Sequence, residues 1–174
     1  QMNRNRLLWL EPNVDGVKTG YTEAAGYCLI ASSKRGPRRM LSVLLGSSSE
    51  AMRAQESQKL LNWGYLFFDS VKLYEKNQTV RALEVYKGAA PEVKAGVAAD
   101  IYVSVPKGSA DRLKVDLHSR QPLSAPIEAG QRLGTLRVAL EGKPVGEYAL
   151  VALEGVPAAG IFGRAWDTLR LWIK

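Results

Sequence analysis

The amino-acid sequence predicts an α+β chain made of three successive parts. Residues 1–70 combine short apolar strands with one helix, residues 71–157 contain only strand-like segments, and residues 158–174 have helical spacing. Three observations predict this division. Before position 70, apolar residues follow a strand period in some segments and a helix period in another. From there to position 157, apolar and polar residues alternate in short segments that Gly and Pro residues separate. After position 157, the apolar residues return to a helical period.

Three strands are predicted in residues 1–70. The first, Val14–Thr19, follows a Pro-Asn turn signal. Tyr27–Ser32 and Arg39–Leu45 flank a Gly-Pro turn at Gly36, which favours an antiparallel hairpin. Because Arg39–Leu45 is almost continuously apolar, we expect it to be a central, buried strand.

A helix is predicted from the segment Ser47–Glu50 to about Asp69. Ser47 and Glu50 stand three positions apart, as the two members of a capping box do. Apolar residues then recur at helical spacing along one face, which we expect to pack on the sheet. That face comprises Ala54, Leu60, Leu61, Gly64, Tyr65, Phe67 and Phe68.

Residues 71–157 are predicted to form a small all-β module. Apolar and polar residues alternate in Val80–Val85, Ile101–Val105 and Leu113–Leu117. Two further strands, Gln131–Leu140 and Tyr148–Leu153, flank a Glu-Gly-Lys turn and indicate a last hairpin. Short strands spaced about ten residues apart are typical of a β-sandwich.

The last part is predicted to be an amphipathic membrane-anchoring helix. About 14 residues give a helix of roughly 21 Å, which is too short to span a bilayer. Aromatic and aliphatic side chains on one face with basic ones opposite suit a helix in the membrane interface. A terminal helix docked on its own domain or on a partner is the alternative. The apolar face comprises Ile161, Phe162, Trp166, Leu169, Trp172 and Ile173.

Composition excludes several classes of function. The 24 Lys and Arg against 17 Asp and Glu give a net charge of +7, spread along the chain instead of gathered in one stripe, so no nucleic-acid partner is expected. One Cys and one His exclude a disulfide framework and a His/Cys metal site. We expect Cys28 to be a buried thiol and His118 to lie on a surface or edge strand. No cofactor is expected.

Lys18-Thr19-Gly20 matches the K-T-G motif of penicillin-binding proteins and class A β-lactamases. On an edge strand beside a cleft, such a segment offers a cation, a hydroxyl and a bare backbone to a substrate carboxylate. The backbone N–H of Tyr21 would be one of two oxyanion-hole donors. A tripeptide alone is a weak signal, so its surroundings decide how much weight it carries.

Three longer segments make the resemblance specific: Asn3–Trp9, Val14–Tyr27 and Gln55–Gly64. They resemble the D-alanyl-D-alanine carboxypeptidases, the low-molecular-mass penicillin-binding proteins of types 5 and 6. The resemblance runs over the whole chain. It implies the closing strands and helix of a β-lactamase/transpeptidase-like domain in residues 1–70, a β-sandwich in residues 71–157 and a membrane anchor in residues 158–174.

The resemblance also implies roles for single residues. Lys18 and Thr19 would hold the terminal carboxylate of the substrate, and Gly20 would let the substrate approach the backbone. Arg53 matches an arginine at the start of the helix that helps to bind that carboxylate. Arg4 matches an arginine that lies near the cleft and is a second candidate for substrate binding. Many relatives have His where this chain has Tyr21, which leaves the backbone N–H role intact.

Two motifs of the family are not found among the 17 residues before Lys18. Its nucleophile is the Ser of S-x-x-K and its proton relay includes S-x-N, both upstream of K-T-G. Ser104-Val-Pro-Lys107 matches S-x-x-K as a string. However, the motif needs its Ser and Lys one helical turn apart, and this segment continues an alternating strand. We therefore expect the chain to be the C-terminal portion of an enzyme and to be inactive alone.

The functional hypothesis is a serine-type carboxypeptidase that removes the terminal D-Ala from peptidoglycan stem peptides ending in D-Ala-D-Ala and is acylated by β-lactams. Its location would be the periplasmic face of the inner membrane, as a peripheral envelope protein. One alternative is a non-catalytic envelope scaffold, and a β-lactamase is a weaker one. Exposed strands of residues 1–70 could also pair with another chain.

Overall fold

A computed structural model describes residues 3–160 of the chain. The predicted anchor helix, with Ile161, Phe162, Trp166, Leu169, Trp172 and Ile173, lies outside the described residues. Strands hold 55% of the described residues and helices 16%, so the fold is predominantly β. It divides into two compact units. The first unit contains residues 3–70 and 104–108, and the second contains residues 71–103 and 109–160.

The first unit is a three-stranded antiparallel sheet with two helices, and its strand order is β1-β2-β3. In chain order its elements are α1 (Leu7–Leu10), β1 (Val14–Thr22), β2 (Gly26–Arg35), β3 (Arg38–Ser47) and α2 (Glu50–Phe67). The hairpin predicted around Gly36-Pro37 joins β2 and β3, with Arg35 opposite Arg38. Gly36 has a φ of +58°, a conformation that glycine adopts without steric cost.

The core of the first unit lies between α2 and the sheet. Leu29 and Ala31 of β2 and Leu61 of α2 are at most 3% exposed. Leu7 of α1 is fully buried in the same cluster. Burial of each large aliphatic side chain contributes roughly 1.5–3 kcal/mol to folding, so this contact fixes the helix on the sheet.

The expectation that β3 is central and buried is wrong. This strand is an edge of the sheet, and Leu41, Val43 and Leu45 are 62%, 55% and 73% exposed. Alternate side chains of a strand point to opposite faces, and α2 covers only one face of β3. The intervening Ser42 is buried. Among residues 3–160, the continuous apolar run therefore has one covered and one bare face.

Two details of the predicted helix are corrected. Its N-cap is Ser49, not Ser47, and the Ser49 hydroxyl accepts a hydrogen bond from the Met52 N–H at 3.1 Å. The buried face also differs, because Leu60 and Phe67 are 45% and 50% exposed. Polar residues occupy part of the buried face instead. The side chains on that face belong to Arg53, Ala54, Ser57, Leu61, Gly64 and Tyr65.

The second unit contains most of the remaining strands. A six-stranded sheet has the order β8-β10-β11-β6-β5-β9, and β4 pairs with β7 in a two-stranded sheet. The strands are β4 (Phe68–Tyr74), β5 (Thr79–Tyr86), β6 (Glu92–Gly96), β7 (Ile101–Pro106), β8 (Leu113–Ser119), β9 (Leu123–Ser124), β10 (Arg132–Leu140) and β11 (Lys143–Ala152).

Alternation determines which side chains of β7 are buried. Ile101, Val103 and Val105 are at most 6% exposed, whereas the intervening residues are exposed. A two-residue turn at Glu141 and Gly142, both with positive φ, joins β10 to β11. Because this turn is tight, β11 begins at Lys143, five positions before the predicted start of the last strand.

Candidate functional site

Strand β1 places the K-T-G segment at an edge of the first unit's sheet. Thr19 pairs with Leu29 and Tyr21 pairs with Tyr27, while the other edge of β1 carries no strand among the described residues. An edge strand leaves backbone groups and alternate side chains accessible on its free side. Lys18 and Gly20 are exposed there.

A cleft of about 780 Å³ opens beside this edge. All six residues that the sequence analysis selected for the site line it, although they come from three separate segments. The lining consists of Asn3, Arg4, Val17, Lys18, Thr19, Gly20, Tyr21 and Arg53. The fold therefore brings the segment before α1, strand β1 and the first turn of α2 to one place.

Arg53 is the buried member of this cleft. Its side chain is 4% exposed, and its Nη2 atom donates to the Arg4 carbonyl oxygen at 3.0 Å and to Glu50 Oε1 at 2.7 Å. The guanidinium carbon also lies 5.6 Å from the centre of the Tyr27 ring. Arg53 is thus held on several sides, which fixes its charge at the wall of the cleft.

Lys18 and Tyr21 form the exposed rim of the cleft. The Lys18 ammonium donates to the Thr19 carbonyl oxygen at 2.7 Å. The Tyr21 ring, 54% exposed, packs on Tyr27 with ring centres 4.5 Å apart. Aromatic contact with Tyr27 therefore connects the rim residue Tyr21 to the buried Arg53.

The segment before α1 is tied to β1 by Asn5. This residue is 3% exposed, its Nδ2 atom donates to the Gly16 carbonyl oxygen at 3.2 Å, and its Oδ1 atom accepts from the Leu7 N–H at 3.2 Å. Arg4 is exposed beside it, and the carbonyl of Arg4 is the one that Arg53 binds. These bonds keep the Arg4 side of the cleft in register with the K-T-G strand.

The charges of the cleft favour an anion. Its lining carries the cations Arg4, Lys18 and Arg53 and no carboxylate, and Glu50 is paired with Arg53 from outside the lining. Within residues 3–160, no group of three His, Cys, Asp or Glu side chains is placed to hold a metal ion. The arrangement suits a carboxylate or another small anion.

Two residues that position this site, Asn5 and Glu50, were not predicted from the sequence. Glu50 stands three positions before Arg53, a spacing at which oppositely charged side chains meet on a helix, so this signal was available. Asn5 carries no comparable signal, because its hydrogen bond to Gly16 depends on how two separate segments meet.

The remaining polar residues that the sequence analysis considered lie elsewhere. Ser104 lies in the extended strand β7 and Lys107 in the turn that follows it, so the two are not on one helical turn. His118 is exposed on the edge strand β8, as expected. Cys28 is half-buried, less than expected, because it lies opposite Gly20 near the cleft.

Comparison with known proteins identifies the family. The family model described as "Penicillin-binding protein 5, C-terminal domain" matches residues 68–158, more than half of the chain. The chain belongs to this family. The model described as "D-alanyl-D-alanine carboxypeptidase" matches residues 1–49, which contain the K-T-G segment. The resemblance drawn from the sequence is confirmed.

Individual relatives of the family match the chain almost from end to end. D-alanyl-D-alanine carboxypeptidase DacC of Escherichia coli is 41% identical, over 96% of this chain and 42% of its own length. DacF of Bacillus subtilis is 35% identical, over 99% of this chain and 45% of its own length. The solved penicillin-binding protein 5 of Haemophilus influenzae is 37% identical with a TM-score of 0.79, over 90% of this chain and 46% of that one. The chain spans less than half the length of these relatives.

No helix within residues 3–160 has the length and apolar character needed to cross a membrane.

Proposed function

We propose that the first unit forms the carboxylate-binding side of the active site of a serine-type D-alanyl-D-alanine carboxypeptidase. Its substrate would be a peptidoglycan stem peptide ending in D-Ala-D-Ala. One observation carries this proposal: the cleft beside β1 gathers Lys18, Thr19, Gly20, Tyr21, Arg4 and Arg53 from three segments. Relatives named for this activity, matched over the same residues, support it.

The proposed roles follow from the chemistry of each group. The terminal carboxylate of the peptide would be held by the charges of Lys18, Arg53 and Arg4 and by the hydroxyl of Thr19, because charge-assisted hydrogen bonds are the strong ones. The backbone N–H of Tyr21 would stabilise the oxyanion of the tetrahedral intermediate.

Gly20 adds an independent argument. A Cβ atom at this position would meet only Cys28 at an ordinary contact distance of 3.8 Å, so the packing of the chain does not require glycine there. The exposed side of Gly20 opens on the cleft. A glycine that the fold does not need is consistent with close approach of a ligand to the backbone.

The nucleophile of the reaction would come from an S-x-x-K segment outside these 174 residues. Its Ser hydroxyl would attack the carbonyl carbon of the D-Ala–D-Ala peptide bond and give up its proton, and the C–N bond would break as the leaving D-Ala amine takes that proton. Water would then hydrolyse the acyl-enzyme ester and regenerate the Ser hydroxyl. A β-lactam would acylate the same Ser. In this proposal residues 71–157 form the separate β domain and residues 158–174 the anchor of a peripheral protein at the periplasmic face of the inner membrane.

The test uses the full-length gene product and measures D-Ala release from a peptide ending in D-Ala-D-Ala. Arg53→Ala and Lys18→Gln should each raise KM and lower kcat/KM by about tenfold or more, as expected for a lost charge-assisted contact. Lys18 is exposed, so its substitution leaves the core intact. The control is Arg6→Ala, which removes an exposed arginine next to the cleft but outside its lining.

D-Ala release, measured together with penicillin binding and turnover, separates the alternatives. Unchanged kinetics in both cleft variants would contradict the assignment of the cleft. A full-length protein that releases no D-Ala and binds no penicillin would favour the envelope scaffold instead. Rapid turnover of penicillin, in place of a slowly released penicilloyl adduct, would favour the β-lactamase.

A further inference from the structure

The second unit contains a polar cleft of its own. It has a volume of about 380 Å³ and lies between the end of β8 and the start of β10. The polar side chains that line it belong to His118, Ser119, Arg120, Arg132 and Thr135. The proposed carboxypeptidase activity uses none of these residues.

A β-bulge builds this cleft. The register of β10 against β11 shifts between Arg132 and Gly134, so Leu133 is an extra residue in β10. The Arg120 N–H donates to the Leu133 carbonyl oxygen at 3.2 Å, which fixes Arg120 opposite the bulge. A Cβ atom on Gly134 would collide with the His118 carbonyl, so β8 and β10 approach closely only because this residue is glycine. Bulges commonly redirect a side chain. Here Arg132 directly precedes the bulge and Arg120 lies opposite it.

Arg132 is held in place before any ligand binds. Its Nη2 atom donates to Thr135 Oγ1 at 2.9 Å and its Nε atom donates to the Gly134 carbonyl oxygen at 3.3 Å. Because the Thr135 hydroxyl accepts from Arg132, its own proton remains available to donate to a bound group. One guanidinium edge and one hydroxyl are therefore oriented together.

The positive charge of this cleft is not neutralised. Its lining contains no carboxylate, and neither Arg120 nor Arg132 forms an ion pair within the described residues. By contrast, Arg137 on the same strand binds Glu147 at 2.9 Å. Asp116, the acid nearest along β8, lies opposite Arg137 instead of the cleft.

We propose that this cleft of the second unit binds a phosphate group. The two guanidinium groups match the geometry of an oxyanion, and the hydroxyls of Ser119 and Thr135 are two further donor groups. The cleft therefore has more donor groups than a carboxylate has oxygens. A phosphate group presents enough oxygens to use guanidinium and hydroxyl donors at once. The same chemistry could come from a lipid headgroup or from a soluble or glycan-borne phosphate.

The test titrates the full 174-residue chain with inorganic phosphate at constant ionic strength and follows backbone amide chemical shifts. Saturable shifts should appear at residues 118–120 and 132–135. Arg120→Gln and Arg132→Gln should each weaken binding about tenfold, as a lost charge-assisted contact does. The control is Arg137→Gln, which removes an arginine of the same strand that is already paired and should leave the affinity unchanged. Thermal unfolding verifies that each variant is folded.

Several outcomes would overturn the proposal. Shifts that do not saturate, or that appear equally in Arg120→Gln and Arg132→Gln, would show only general attraction of anions to a basic chain. A loss of affinity in Arg137→Gln equal to that in Arg132→Gln would have the same meaning. Binding of acetate as tight as that of phosphate would overturn the assignment to phosphate.

A second arm distinguishes the sources of the phosphate. Sedimentation with phosphatidylglycerol vesicles is compared between the unmodified chain and Arg132→Gln, both of which retain residues 160–174, so any contribution of that segment cancels. Weaker sedimentation of the variant supports the site with a lipid headgroup as its source. Equal sedimentation together with lost binding of inorganic phosphate supports the site with a soluble or glycan phosphate as its source.

Discussion

Asp15 and Arg39 form a two-bond ion pair on the first unit's sheet. Arg39 Nη1 donates to Asp15 Oδ1 at 2.9 Å and Nη2 donates to Oδ2 at 2.8 Å, and Arg39 also donates to the Ser32 hydroxyl. Hydrogen bonds from Arg39 first, and from Ser32 second, lower the pKa of Asp15 to about 2. Both ion-pair side chains are about half exposed, so solvent screening reduces what the pair adds to stability.

The lowered pKa of Asp15 predicts how stability depends on pH. A carboxyl group whose pKa is lower in the folded state stabilises the fold above its unfolded pKa, near 3.9, and loses that contribution as pH falls towards its folded pKa. Asp15→Asn should therefore lower the midpoint of urea unfolding at pH 7, and the difference from the unmodified chain should shrink between about pH 4 and pH 2. The control is Asp111→Asn, at an exposed acid with no ion pair among residues 3–160. A difference that stays constant down to pH 2 would contradict the assignment to Asp15.

Strands and turns could be predicted from the sequence because their signals are local. The Gly36-Pro37 and Glu141-Gly142 turns and the alternation in Ile101–Val105 each depend on adjacent residues. The exposure of β3 could not be predicted, because it depends on what covers each face of a strand. The order β8-β10-β11-β6-β5-β9 is likewise set by pairing between distant segments.

The candidate site shows the same limit. Lys18–Tyr21 is contiguous and was found from its motif, and Arg4 and Arg53 were found from the family resemblance. The burial of Arg53 and its bond to the Arg4 carbonyl arise only when α2 meets the segment before α1, whereas its bond to Glu50 lies within α2. Sequence patterns therefore identified the groups of the site but not the contacts that hold them.

The C-terminal segment is the element whose predicted role is membrane binding. Residues 160–174 place two Trp and several aliphatic residues at helical spacing, with basic residues opposite them in the sequence pattern. Deletion of residues 160–174 should abolish sedimentation with anionic liposomes, and added salt should weaken the sedimentation of the intact chain. The matched control replaces Arg164 and Arg170 with Gln and should reduce binding only in part, because the apolar face remains. Equal sedimentation with and without the segment would contradict the anchor.

Within residues 3–160, β3 is an edge strand whose apolar side chains Leu41, Val43 and Leu45 are exposed. Such an edge offers unpaired backbone groups together with apolar side chains, which favours association between chains.

We expect the 174-residue chain to associate with itself as its concentration rises, and Val43→Lys to shift it towards the monomer. Light scattering behind size-exclusion chromatography measures both states. Val145→Lys is the control, because it adds the same charge at an exposed valine of β11 in the second unit and should leave association unchanged. If Val43→Lys associates as strongly as the unmodified chain, the bare face of β3 is not the contact.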